Sequence, residues 1–128
     1  MTTPIELRAQ TVWLDAEGIV RVDVKPGADV TLADAHDVVA AIGSHCEQRR
    51  RPALIDFTGL RGMERAARSY FSGPQTAKYQ TSAALVVASP LSRAVGTFFM
   101  GLNRPMVPTK MFADTASALA WLRTQADS

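Results

Sequence analysis

The sequence is short of the residues that build disulfide frameworks and metal centres, and it has no long apolar run. Cys46 is the single cysteine, so no disulfide can form within the chain, which fits a reducing compartment. The histidines, His36 and His45, lie on opposite sides of one predicted helix and cannot share a metal ion. No apolar run approaches the ~20 residues of a membrane span, and residues 1–7 do not read as a signal peptide. We therefore expect a cytoplasmic protein without a metal or other cofactor.

The net charge of the chain is also small. Fourteen Lys and Arg side chains against twelve Asp and Glu leave a net charge of +2, too little to indicate a nucleic-acid-binding surface. Apolar residues make up 47% of the 128 residues, which is ordinary for a folded chain and argues against disorder. A chain of this length can hold a single core. We therefore expect one domain over residues 1–128, without a nucleic-acid partner.

Strand patterns occur at four places after an opening strand at residues 11–14. Valines alternate with charged residues over 20–24, which predicts a strand with one wet face, paired with the first in a hairpin. Residues 53–57 predict a buried strand, and residues 82–89 lack alternation, as expected in the middle of a parallel sheet. Residues 106–112 contain a proline and therefore predict an edge strand.

Helix signals fall between and after these strands. Thr31 and Asp34 fit a capping box, and Ser89 followed by Pro90 suits the start of a helix. The predicted helices lie after Thr31, over residues 64–72, over residues 91–103 and after Asp114. The element order ββαβαβαβα predicts an α/β fold with a mixed sheet flanked by helices.

The predicted helix over residues 91–103 has more apolar residues than one buried face needs. Its predicted core stripe is Leu91, Val95, Phe98 and Leu102. With that stripe inward, Phe99 lies at its edge, Met100 points away from it and Gly96 exposes backbone, an arrangement that suggests docking. The predicted ligand or partner surface consists of Gly96, Phe99, Met100 and Asn103. The alternative is that the next strand or the last helix covers Phe99 and Met100.

A second candidate site is an anion-binding rim at the carboxyl ends of the parallel strands. Ligands of open α/β sheets favour this edge, and two helix N-termini would point free amides at it. The predicted rim residues are Thr58, Gly59, Arg61, Arg65 and Arg93. Their arginines could bind phosphate or carboxylate. The alternative is that these arginines are solvated or pair with Glu64 and Asp56.

Signs of catalysis are weak. Asp56 ends a strand, where a lone Asp more often bonds turn amides than reacts. Cys46 falls on the apolar face of its helix, which favours an inert core thiol. The segment 59–62 is too short for a dinucleotide or phosphate-binding loop, and the sequence contains no Gly-x-Ser-x-Gly elbow. We therefore predict no catalytic residues.

Several segments together resemble a known family. They are Trp13, residues 18–20, residues 54–59, residues 65–71, residues 84–86 with Ser89-Pro90, residues 110–112 and residues 118–122. The chain is similar over nearly its whole length to small bacterial STAS and SEC14-like proteins, relatives of the SpoIIAA-like anti-sigma-factor antagonists. The resemblance implies a SpoIIAA-like mixed sheet and a role in protein–protein interaction. The antagonists usually carry a phosphorylatable serine at the start of the helix after the buried strand, whereas the matching residues 63–67 here contain no hydroxyl.

The predicted function is therefore a non-catalytic regulatory interaction module of the STAS type that lacks this serine. Its partner would be a regulatory protein or a second copy of the chain in a homodimer. The alternative is a carrier or sensor of a small apolar or amphipathic ligand, as the SEC14-like comparison implies, with a cavity under the helix over 91–103. An uncharacterised enzyme is the third hypothesis.

Overall fold

The computed structural model describes residues 3–46, 49–102 and 106–126, without the side chains of residues 98, 99, 101, 102 and 126. The strands are β1 (Ile5–Glu6), β2 (Gln10–Leu14), β3 (Val20–Val24), β4 (Ala28–Val30), β5 (Arg51–Asp56), β6 (Leu60–Met63), β7 (Gln80–Val86) and β8 (Thr109–Phe112). The helices are α1 (Leu32–His45), α2 (Arg65–Phe71), α3 (Pro74–Ala77), α4 (Pro90–Leu102) and α5 (Thr115–Ala126).

Six strands form one mixed sheet in the order β1-β2-β3-β5-β7-β8. The first three strands are antiparallel neighbours, and β3, β5, β7 and β8 run parallel. This confirms the predicted α/β class. The strands β4 and β6 form a separate parallel pair that the prediction lacked. The sequence predicts only a turn over residues 58–62. A strand as short as β6 is stabilised by its partner β4, about thirty residues away, rather than by an apolar alternation of its own.

Helices cover the two faces of the six-stranded sheet unequally. The helices α1, α2 and α4 pack on the face that carries Val22, Ile55 and Leu85. Of the described helices, α5 alone packs on the opposite face, where it covers Leu54 and neighbouring residues of β7. We call these the α1 face and the α5 face.

The predicted caps are confirmed at three helix starts. In α1, Thr31 and Asp34 exchange the two hydrogen bonds of a capping box. In α4, the Ser92 amide donates to Ser89 Oγ at 3.1 Å. In α5, the Ser117 amide donates to Asp114 Oδ1 at 2.7 Å. These short-range contacts position the helices along the chain.

The helix α4 is rotated about its axis relative to the prediction. Leu91, expected in the core stripe, is 48% exposed, whereas Ser92 is fully buried. The reason is the cap, since the Ser92 hydroxyl is held against Ser89 and so turns inward. Gly96 lies one turn later on the same side and is also buried.

Candidate functional site

A cavity lies between the α1 face of the sheet and the helices that cover it. Its volume is about 60 Å³. The apolar lining is Val22, Val24, Val38, Ile42, Ile55, Phe57, Met63, Phe71, Ala83 and Leu85. The polar lining is Gln10, Thr76, Gln80 and Thr109. Since one buried water needs only ~10–15 Å³, the space exceeds a simple packing defect.

Two of the polar lining residues are buried without a hydrogen-bond partner for one oxygen. Gln10 is 2% exposed and Thr76 is 9% exposed. Gln10 Oε1 and Thr76 Oγ1 have no partner among the described residues. An unpaired buried polar group costs about 1–3 kcal/mol, so both oxygens favour a bound molecule that would satisfy them.

The cavity is covered by small elements beside Thr76 and Gln80. Thr76 belongs to α3, which has four residues, and Gln80 begins β7 directly after the turn at Lys78 and Tyr79. A single turn of helix covers less of a sheet than a long helix does. Ala83 in β7 also leaves room that a larger side chain would fill. Short covering elements and one small side chain thus leave the space open.

The surface predicted on α4 is only partly described, and where it is described it is less exposed than expected. Gly96 is buried, and a Cβ there would lie 3.1 Å from Val87 Cγ1. Met100 is half-buried and packs against the core. Both are less exposed than expected, because the rotation of α4 turns them inward, and a ligand or partner surface built from Gly96, Phe99, Met100 and Asn103 stays a prediction. The side chain of Phe99 and all of Asn103 lie outside the described residues.

Among the side chains that the structure describes, two large apolar ones near α4 are exposed instead. Leu91, at its start, is 48% exposed, and Met106, shortly after its end, is 64% exposed. Ala94 and Thr97, between them on the helix, are also exposed. We call Leu91, Ala94 and Met106 the outer α4 surface. Sequence periodicity does not predict this surface, because it places Leu91 in the core stripe of the helix.

The predicted anion rim is only partly assembled. Thr58 lies exposed after β5, and its carbonyl accepts a hydrogen bond from Ser89 Oγ at 3.2 Å, so the two predicted turns meet. Gly59 lies against Pro26, where a Cβ would come within 2.9 Å of the Pro26 Cα. Arg61 pairs with Asp29 at 3.2 Å rather than with the expected Glu64 or Asp56.

The remaining rim residues, Arg65 and Arg93, are exposed. The start of α2 is bonded to the start of α1, since the Glu64 amide donates to the Val30 carbonyl at 2.9 Å and the Leu32 amide donates to Glu64 Oε1 at 2.8 Å. The strand β6 separates α2 from β5, which the predicted order did not include. An anion site built from all five residues stays a prediction.

Asp56 bonds the turn that follows it, as predicted. Its Oδ1 accepts a hydrogen bond from the Thr58 amide at 2.9 Å. Asp23 is its register partner across β3 and β5. Partial burial raises the pKa of Asp23, and the nearby Asp56 charge raises it further. Both carboxylates line an open groove with Thr11 and Lys25, without a third acidic neighbour among the lining residues.

Neither Cys46 nor a cluster of metal-binding side chains provides a candidate site in the part of the chain that the structure describes. Cys46 is buried, and burial raises the pKa of its thiol against an opposing effect of Arg51. Among the described residues, no cluster of three or more His, Cys, Asp or Glu side chains could bind a metal ion. Nor does any described helix have the length and apolar character needed to cross a membrane.

Comparison with known proteins decides the family. Residues 12–126 match the family described as a domain of unknown function, DUF7793. The chain belongs to the DUF7793 family. A search of the curated proteins finds no match for this DUF7793 chain.

Two solved structures are similar to this DUF7793 chain. One is the crystal structure of an uncharacterized protein of the DUF3478 family with a SpoIIAA-like fold from Shewanella loihica PV-4. It is 20% identical, with 95% of this chain and 98% of that chain covered and a TM-score of 0.61. The other is a protein with unknown function from Arthrobacter sp. FB24, 32% identical, with 94% and 97% covered and a TM-score of 0.37. The first likeness confirms the SpoIIAA-like fold predicted from the sequence.

Proposed function

We propose that this protein is a non-catalytic regulatory module of the STAS type that acts by binding another protein. The observation that carries the proposal is the outer α4 surface, because the large apolar side chains of Leu91 and Met106 lie in solvent at the two ends of one helix. Exposed apolar side chains are common on any protein surface, but a leucine and a methionine near the same helix offer a partner apolar area to cover. The SpoIIAA-like fold supports the same function.

The proposed module works without a phosphoserine switch at the start of α2. Glu64 is the N-cap there, and its carboxylate binds the Leu32 amide. A carboxylate at a helix start is a permanent negative charge, and it interacts favourably with the free amides of α1. This position therefore supports a fixed link between two helices rather than a group that gains and loses phosphate.

The proposal is tested by placing a charge on the outer α4 surface. We expect the chain to bind a second copy of itself or a regulatory protein, and Leu91→Asp to weaken that binding at least tenfold, because burying a leucine contributes ~1.5–3 kcal/mol. Sedimentation velocity over a concentration series measures self-association. Photo-cross-linking in cells, from a benzophenone amino acid at position 91, measures contact with other proteins.

Ala120→Asp is the matched control, since Ala120 is an exposed apolar residue on α5, far along the chain from α4. Circular dichroism checks that both variants fold. The proposal fails if the protein stays monomeric and position 91 gives no more cross-links than position 120. It also fails if Leu91→Asp and Ala120→Asp weaken binding equally.

A further inference from the structure

We propose that the cavity on the α1 face is a binding site for a small neutral amphipathic molecule, mostly hydrocarbon, with one hydroxyl or amide group. This inference goes beyond the proposed function and does not depend on the outer α4 surface. It also places the ligand site elsewhere than the sequence predicts, which is under the helix over 91–103. The described lining comes from the sheet, α1, α2 and the segment around α3, rather than from α4.

The size of the cavity limits the ligand to a few heavy atoms. About 60 Å³ is available, and each water-sized atom needs ~10–15 Å³, so roughly four to six fit. A long lipid chain exceeds that space. Short alcohols and amides match it.

The lining chemistry defines the polar group of the ligand. Gln10 Oε1 is a buried acceptor without a partner, so the ligand should donate a hydrogen bond to it. Thr76 Oγ1, also unpartnered, can donate or accept. A single hydroxyl or primary amide can satisfy either oxygen, while valine, isoleucine and phenylalanine side chains surround the hydrocarbon part.

The lining also excludes charged ligands. None of the fourteen lining residues that the structure describes is Asp, Glu, Lys, Arg or His. A carboxylate or ammonium would enter a site without a counter-charge, and burial of an unpaired ion is far more costly than burial of a hydroxyl. The neutral form of the ligand is therefore the one that binds.

Buried water is the rival occupant, because water can also satisfy both oxygens. Water in a largely apolar cavity finds few partners, whereas an amphipathic molecule also fills the apolar part. A polar probe and an apolar probe of similar size separate these two occupants.

The test is a titration of ¹⁵N-labelled protein with n-butanol, followed by amide shifts in two-dimensional NMR. We expect saturable shifts concentrated at Thr76, Gln80 and Ala83. Butyrate and n-butylammonium, which match n-butanol in length but carry charge, should give no saturable shifts there. If n-butanol produces no saturable shifts, or if butyrate and n-butylammonium bind equally well, the site is not the one proposed.

Two variants assign the polar contact. Thr76→Val and Gln10→Met each remove one unpartnered oxygen with little change of shape, and at least one should weaken n-butanol about fivefold to tenfold. Xenon, which fills apolar cavities, should bind both variants as well as it binds the wild type. Thr81→Val is the matched control, since Thr81 is exposed on β7 and should change neither probe. If n-butanol binds all three variants like wild type, neither oxygen binds its hydroxyl group and the proposal is wrong.

Discussion

Ala83 and Ala84 are neighbours in β7, yet their side chains lie on opposite faces of the sheet that differ in how closely they are packed. Ala83 lines the cavity on the α1 face, while Ala84 is fully buried against α5. The α5 face is an apolar cluster of Ile19, Leu54, Ala84, Val86, Ala118 and Leu122, each at most 3% exposed. Buried oxygens without a partner among the described residues occur on both faces, since Ser82 lies on the α5 side of β7, but the cavity lies on the α1 face. This contrast indicates that the α5 face stabilises the fold and that the α1 face has capacity to bind.

The largest expected effect comes from opening a cavity on the α5 face. Leu122 is fully buried there, and Leu122→Ala should lower the free energy of unfolding by about 3 kcal/mol, because the lost burial adds to the cost of an empty space. Urea denaturation measures it. A loss below about 1 kcal/mol would show that the α5 face relaxes as easily as the α1 face.

A smaller, pH-dependent effect comes from the start of α1. Asp34 is 4% exposed, and its carboxylate accepts hydrogen bonds from Arg8 and from the Thr31 amide. The hydrogen bond from Arg8, which has the largest effect, together with those from Thr31, lowers the pKa of Asp34 from 3.8 to about 2. A lowered pKa in the folded state means that folding favours the charged form. The stabilisation, at most about 2 kcal/mol because water screens the exposed Arg8 guanidinium, is thus present above pH 3.8 and lost as the pH falls through about 2.

Unfolding of the wild type and of Asp34→Asn at a series of pH values measures this contribution. The variant should be less stable at neutral pH, and the difference should shrink as the pH falls towards 2. Asp37→Asn is the control, since Asp37 is exposed on the same helix. A difference between Asp34→Asn and the wild type that does not change with pH would contradict the assignment.

A comparable loss is expected where α1 contacts the turn before β7. A Cβ at Gly43 would lie 2.7 Å from Cζ of the Tyr79 ring. Gly43→Ala should therefore destabilise the protein by about 1–2 kcal/mol, although alanine favours helices by up to ~1 kcal/mol over glycine. Thermal unfolding measures the change. In Gly43→Ala combined with Tyr79→Leu, the clash is relieved and the cost of the alanine should disappear.

The sequence could predict the parts of the fold that depend on neighbours along the chain. The alternation over 20–24 and the caps at Thr31, Ser89 and Asp114 are short-range patterns, and each is confirmed. The pairing of β4 with β6 could not be predicted, because neither strand has a pattern long enough to signal it.

The candidate sites could not be predicted in the same way, because their geometry depends on long-range contacts that the periodicity of the sequence does not reveal. The inward side of α4 is set by the buried Ser92 hydroxyl and by the close approach of Gly96 to Val87, neither of which is an apolar signal. The cavity is lined by Gln10 of β2 and by Thr76 of α3, which come from distant parts of the chain. That both line one cavity follows only from the order of strands in the sheet.

The contrast between the two faces is tested most directly by adding the same two methyl groups to each. Ala83→Val should leave the free energy of unfolding unchanged or raise it by up to about 1 kcal/mol, because it fills existing space. Ala84→Val should lower it by about 1–3 kcal/mol, because no space is free there. Urea denaturation of both variants beside the wild type gives the two values. Equal losses for the two variants would contradict the account, since the α1 face would then be packed as tightly as the α5 face.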